Sequence, residues 1–301
     1  MMITRRILGF TVGILNAAAV SAQTIQFVSV TRQANYVQTG ATVSDRAADG
    51  TTPFQFRAAV EGSDSSPLTS TNPWTAVTVT LPSSATQALT FDTSNQGWYF
   101  KDSTPTSMSN LNATYDVGSY TFTPTGTPST QATVTVASFA SSLLNIPQLT
   151  LSGGSWINGA YVVSDTATLT VTFNAVFSGT PGASDSFHFD SSLDGQSNHI
   201  NGTNDFVNWD ATTNATANYA STPPDFVIGA GQLAAGSYTI SASYNDVQNP
   251  TSVYGSAFAA SLLEYRTQVN LTVVPEPSAT ATAFGVFVLL FATRRRSLRA
   301  A

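Results

Sequence analysis

Apolar and polar residues alternate at every second position in four separate runs of this chain. They are Val77-Thr78-Val79-Thr80-Leu81, Thr133-Val134-Thr135-Val136, Leu169-Thr170-Val171-Thr172-Phe173 and Val269-Asn270-Leu271-Thr272-Val273. A strand turns successive side chains to opposite faces, so this period puts Val, Leu and Phe on a buried face and Thr or Asn on the other. A helix would need a period of 3.6, and no long segment of the body offers it. Turn-forming clusters at 123–129 and 179–184, Pro223-Pro224 and Asn249-Pro250 break the pattern into short pieces. Many short strands separated by such breaks predict an all-β sandwich or barrel. Hydrophobic residues make up 42% of the 301 residues, enough for a packed core.

The body echoes itself. Gly118-Ser119-Tyr120-Thr121-Phe122-Thr123 matches Gly236-Ser237-Tyr238-Thr239-Ile240-Ser241, and ASFASSLL (137–144) matches SAFAASLL (256–263). Gln148-Leu149-Thr150-Leu151 matches Gln268-Val269-Asn270-Leu271, and Phe56-Arg57-Ala58-Ala59 faces Phe173-Asn174-Ala175-Val176. Four matches in order at nearly one spacing predict a duplication. The units expected are 23–152 and 153–274, two tandem related β-sandwich (immunoglobulin-like) domains, each slightly longer than the roughly 100 residues of such a sandwich. The ASFASSLL run and its partner read equally as a short helix or a bulged strand. Between Asp185 and Asp225 the second unit carries a polar excursion, expected to be a hairpin or loop insertion.

Charge excludes one class of partner. Only 9% of residues are charged, the net charge is −6, and no Lys or Arg occurs between Asp102 and Tyr265. Six basic residues lie at the ends: Arg5, Arg6, Arg294, Arg295, Arg296 and Arg299. The interior keeps Arg32, Arg46, Arg57, Lys101 and Arg266 against sixteen acids, a balance of −11. Nucleic-acid binding requires basic side chains to neutralise phosphates, so it is excluded. Without cysteine there is neither disulfide nor thiolate chemistry.

Both ends read as addresses. Arg5 and Arg6 precede an apolar run from Ile7 to Val20, and Val20-Ser21-Ala22 supplies small residues for signal-peptidase cleavage between Ala22 and Gln23. Residues 1–22 are therefore expected to be a signal peptide. At the other end stand Pro275-Glu276-Pro277, an uncharged span from Ser278 to Thr293, and Arg294-Arg295-Arg296. As a helix the span would run about 24 Å, short of the roughly 30 Å hydrocarbon core, and the arginines would hold the tail on the cytoplasmic side.

This three-part tail, residues 275–301, resembles the PEP-CTERM sorting signal of Gram-negative bacteria. The resemblance is confined to the tail. It implies recognition by an exosortase-type membrane protease, transient anchoring in the inner membrane through the 278–293 helix, and release or attachment outside, often with exopolysaccharide. A plain C-terminal membrane anchor is the alternative.

Three kinds of internal site were weighed. Asp190, Asp194 and Asp205 in the polar excursion offer the oxygen ligands that Ca²⁺ takes, although the spacing is not that of an EF-hand loop and Asp also favours turns. Trp98 and Trp209 are the candidates for stacking on sugar rings, against the common use of Trp in a core. His188 and His199 are the only histidines. They lack the pair spacing of a zinc site, and His188 between Phe187 and Phe189 reads as an ordinary strand position. No catalytic set is assigned, and no cofactor beyond a calcium ion is expected. The sequence thus predicts an exported, non-enzymatic structural or adhesive protein of the cell envelope or extracellular matrix. A carbohydrate-binding module is the alternative, and a polysaccharide hydrolase the third reading.

Overall fold

The computed structural model describes residues 25–45, 53–62, 68–71, 73–127, 130–136, 143–179, 185–194, 207–211, 223, 225–254 and 257–276. These residues form an all-β protein with one short helix. In the first half lie β1 (Ile25–Gln38), β2 (Val43–Asp45), β3 (Phe54–Gly62), β4 (Trp74–Thr80), β5 (Thr86–Asp92), β6 (Gly97–Asp102), α1 (Met108–Thr114), β7 (Gly118–Gly126) and β8 (Ala132–Val136). There follow β9 (Leu149–Ser152), β10 (Gly154–Ile157), β11 (Ala160–Ser164), β12 (Leu169–Phe173), β13 (Asp185–Asp194), β14 (Val207–Ala211), β15 (Phe226–Ile228), β16 (Gly236–Val253) and β17 (Ala257–Val274). All four alternating runs fall in strands. In β8 and β12 the apolar members are buried and the Thr residues between them are not.

The strands enclose two hydrophobic cores. Around the first core, β1, β3 and β6 form one layer and β4, β7 and β8 the other. Strand β5 joins the layers: Thr86–Leu89 pairs with β4, and Thr90–Asp92 pairs with β6. The core between them holds Val28, Val30, Phe56, Trp74, Val79, Tyr120, Phe122 and Val134. Phe56 stacks on Tyr115 with ring centroids 3.7 Å apart. Helix α1 leads into β7. Its N-cap is Ser107, whose hydroxyl accepts the Asn110 N–H at 3.0 Å, and it buries Leu111. Around the second core, β15-β12-β9 faces β14-β13-β16-β17, and Phe187 and Phe189 of β13 pack against Phe177 and Phe173.

One sheet runs through both halves, in the order β14-β13-β16-β17-β1-β3-β6-β5-β4-β7-β8, with β2 and the β10–β11 hairpin at its sides. Its central join is β1 with β17, parallel, from Phe27 opposite Phe258 to Val37 opposite Gln268. As a result Ala257 and Ala259 lie in the first core, while Val269, Leu271 and Val273 of the same strand lie in the second. The position expected to separate two units, 152/153, is a tight turn between β9 and β10. Gly153 has φ +99, and a Cβ there would strike the Thr168 carbonyl.

Of the four sequence echoes, one recurs as a structure. Gly118 opens β7 and Gly236 opens β16, and the tyrosine two residues on donates its hydroxyl to a carbonyl four residues upstream in each. The other echoes occupy different settings. Gln148–Leu151 runs into edge strand β9, whereas Gln268–Leu271 lies inside β17. Phe56 is within β3, and Phe173 ends β12. Ala257–Leu263 is strand, and residues 137–142 lie outside the described residues.

Candidate functional site: the polar face of the continuous sheet

Residues directly opposite one another in a ladder share a face, so the register fixes which side chains meet. On the outer face of β17, β1, β3 and β6, one row runs Glu264, Gln33, Gln55, and hydrogen bonds tie it together. Gln33 Nε2 donates to Glu264 Oε1 at 3.3 Å and to Asn35 Oδ1 at 3.0 Å, and Gln55 Nε2 donates to Ser103 Oγ at 2.8 Å. On β16, Ser243 Oγ donates to Glu264 Oε1 at 3.5 Å; Ser241 Oγ accepts from Arg266 Nη2 and from Gln268 Nε2, both at 3.2 Å. The adjoining row runs Leu262, Thr31, Arg57, Lys101. These rows carry carboxamides, hydroxyls, one carboxylate and three cations; Gln33, Thr31 and Ser241 among them are buried, and Gln55, Glu264, Arg266, Arg57 and Lys101 reach solvent.

The opposite face of the same strands is the core, and it holds one cation. Arg32 is 3% exposed. Burial lowers its pKa to about 10, offset in part by Tyr120, Tyr265 and Asp116, and its Nη1 donates to Asn112 Oδ1 of α1 at 3.3 Å. Nearby, Tyr115 donates its hydroxyl to Asp102 Oδ2 at 2.6 Å. Burial works to raise Asp102, but that bond and the Thr104 N–H outweigh it and hold the carboxyl below its usual range.

The sequence-derived site residues fall as follows. Asp190 and Asp194 are members of strand β13, opposite Ser243 and Thr239. The stretch expected to be a loop is thus a ladder strand from Asp185 to Asp194. Asp205 lies outside the described residues. Among the described residues no group of three or more His, Cys, Asp or Glu could hold a metal ion.

Trp98 is 6% exposed, edge-on to Phe91 with centroids 5.3 Å apart. It is a core residue with no free ring face for a sugar, because β6 turns it toward the first core. The backbone of Trp209 pairs with Phe189 in the β13–β14 hairpin. His188 occupies β13, in line with the strand reading, opposite Asn245 and Asp210. His199 lies outside the described residues.

At the chain's exit, β17 ends on Val274, and Asp165 brackets the next residues. Its N–H donates to the Val274 carbonyl at 2.9 Å, and its Oδ1 accepts the Glu276 N–H at 3.1 Å. Pro275 and Glu276 thus leave the sheet held at the turn after β11. Pro277, Arg294, Arg295 and Arg296 lie outside the described residues, as do Ala22 and Gln23. Among the described residues no helix is long and apolar enough to cross a membrane.

Sequence reasoning missed the polar face. Its members come from strands as far apart as β1 and β17, and each carries only ordinary Gln, Asn or Ser at the outward position of an alternating run.

No protein-family model and no curated protein matches the chain. Among solved structures it aligns with the crystal structure of murine CEACAM1b at 13% identity, over 81% of this chain and all of that one, with a TM-score of 0.16. That score lies below the level at which two folds are alike.

Proposed function

We propose that the chain is an exported, non-enzymatic structural or adhesive protein of the cell envelope or extracellular matrix, delivered by a PEP-CTERM-like tail. The observation that carries this reading is where the fold stops. Among the described residues the last strand ends at Val274, and the Pro275-Glu276-Pro277 motif begins at the next residue. A sorting tail must leave the folded body before it enters the membrane, and among the described residues the chain has left the sheet by Pro275 and Glu276. Its two halves are immunoglobulin-like units derived from one ancestor; Tyr120 and Tyr238, each bonded four residues back at the start of a strand, support that kinship.

The test is the triple variant Arg294→Gln, Arg295→Gln, Arg296→Gln in the native host. Removing the positive stop is expected to leave uncleaved, mis-sorted precursor. Normal processing of that variant would sink the sorting assignment.

A further inference from the structure

Asp165 joins three segments at one end of the second core. Its N–H donates to the Val274 carbonyl at 2.9 Å, its carbonyl accepts the Gly231 N–H at 2.7 Å, and its Oδ1 accepts the Glu276 N–H at 3.1 Å. Proline has no N–H, so Glu276 carries the one backbone donor of Pro275-Glu276-Pro277, and the body holds it. Only Pro277 then separates this pinned residue from the uncharged stretch 278–293. Two residues reach at most about 7 Å, too short a link to let the body swing away. The surface around the exit consists of residues 152–154, 164–168, 229–237 and 274–276. Gly236 pairs with Val273, and the Thr168 carbonyl crowds Gly153, so these turns form one pole. Among the described residues it carries no Lys or Arg, and its acids are Asp165 and Glu276. Ala230, Ala234, Ala235 and Val274 are exposed there, among Gly, Ser and Thr.

We propose that this exit pole rests in the headgroup layer on the exported side of a lipid bilayer. The inference rests on the reading of 278–293 as a membrane span. As a helix that span runs about 24 Å, less than the roughly 30 Å hydrocarbon core. A short span is accommodated by drawing in its flanks or by thinning the bilayer. On the exported side the flank is the body itself. Ala, Gly, Ser and Thr enter the headgroup layer at little desolvation cost, and the water of that layer keeps the Glu276 carboxylate hydrated. Without Lys or Arg the pole has nothing to draw it to an anionic leaflet, in contrast to a polybasic anchor. The lipid surface it fits is zwitterionic.

The chain has no cysteine, so a single introduced one can be labelled without interference. Ala234→Cys places a label at the exit pole. Ser252→Cys places one toward the other end of β16, roughly 50 Å of strand away. Both positions are exposed, and a melting curve checks each variant. The full chain, with an environment-sensitive fluorophore at either position, is reconstituted in phosphatidylcholine vesicles that contain a headgroup spin-labelled lipid. Loss of most of the fluorescence at 234 with little loss at 252 is expected, and raising the salt should not change it. Equal quenching at the two positions, no quenching at 234 in a chain that floats with the vesicles, or quenching at 234 that requires anionic lipid would each overturn the pole assignment while leaving the span in place. A chain that does not float with the vesicles would instead overturn the anchored reading, and the pole assignment with it.

Discussion

Gln38 imitates a strand for Leu149. Its carboxamide donates to the Leu149 carbonyl at 2.6 Å and accepts the Leu149 N–H at 2.9 Å, the pair of bonds a neighbouring backbone would make. Gln38 ends β1 and Leu149 begins β9, so one buried side chain fastens the first strand of the protein to the edge of the second core. Thr267 Oγ1 donates to the Pro147 carbonyl at 2.6 Å, and Gln148 Nε2 to the Ala41 carbonyl at 2.7 Å, pinning the same segment.

Replacing Gln38 by Leu is expected to leave both Leu149 groups unpaired and lower stability by about 2–4 kcal/mol. Gln38→Glu is expected to do comparable harm, because a carboxylate cannot donate and would be buried as a charge. Urea unfolding of both variants reads the effect, and a loss below about 0.5 kcal/mol for both would show that the clasp contributes little.

The two tyrosines at the starts of β7 and β16 make the same bond in unequal surroundings. Tyr120 is fully buried and donates to the Asp116 carbonyl at 2.7 Å; Tyr238 lies nearer the surface and donates to Ala234 at 2.8 Å. Tyr120→Phe is expected to cost about 1–2 kcal/mol, and Tyr238→Phe less. Since the two bonds serve different cores, the double variant should equal the sum within about 0.5 kcal/mol. A clear departure would mean that the cores are coupled through these positions.

Gly153→Ala probes the β9–β10 junction. The positive φ and the close Thr168 carbonyl both oppose a Cβ, so a loss of about 1–3 kcal/mol is expected. An unchanged melting temperature would make the junction a loose linker instead. A fragment ending at Ser152 tests the same point from another side. It lacks β17, exposes the long edge of β1 and removes Ala257 and Ala259 from the first core. No cooperative unfolding transition is expected from it in circular dichroism.

Alkaline pH should unfold the protein. Burial pushes up the pKa values of Tyr115, Tyr120, Tyr244, Tyr254 and Tyr265, that of Tyr254 to about 12. Unfolded phenols titrate near 10. Between these values the folded state holds protons that the unfolded state has released. The contribution is complete below about pH 10 and is lost as pH rises, at up to about 1.4 kcal/mol per pH unit for each phenol. Arg32, lowered by burial, works in the opposite direction, one group against five. Stability measured from pH 9 to 12 should therefore fall steeply; a flat profile would contradict the burial of these rings.

Strand positions were legible because Val77–Leu81 or Leu169–Phe173 each carry a complete two-residue period. The stretch around Phe187 and Phe189 held the same signal, outweighed at the sequence level by its many Asp and Asn residues, so a ladder strand was read as a loop. The β1–β17 join left no trace, because parallel pairing over more than 200 residues depends on no local motif. Trp98 shows the same limit: whether an aromatic ring is platform or core is decided by which way its strand faces, and Gly97–Asp102 alternates too briefly to tell.

The parallel course of β1 and β17 governs how the body meets tension. Force entering at Ile25 and leaving at Val274 pulls the two strands lengthwise past each other, so the eleven register pairs between Phe27–Phe258 and Val37–Gln268 are loaded in shear together. An antiparallel hairpin gripped at its open end would give way one rung at a time. A protein tethered by its C-terminal end and pulled by its N-terminal end would thus yield late and abruptly, with β11, also parallel to β17 from Tyr161 to Ser164, extending the sheared seam toward the anchored pole.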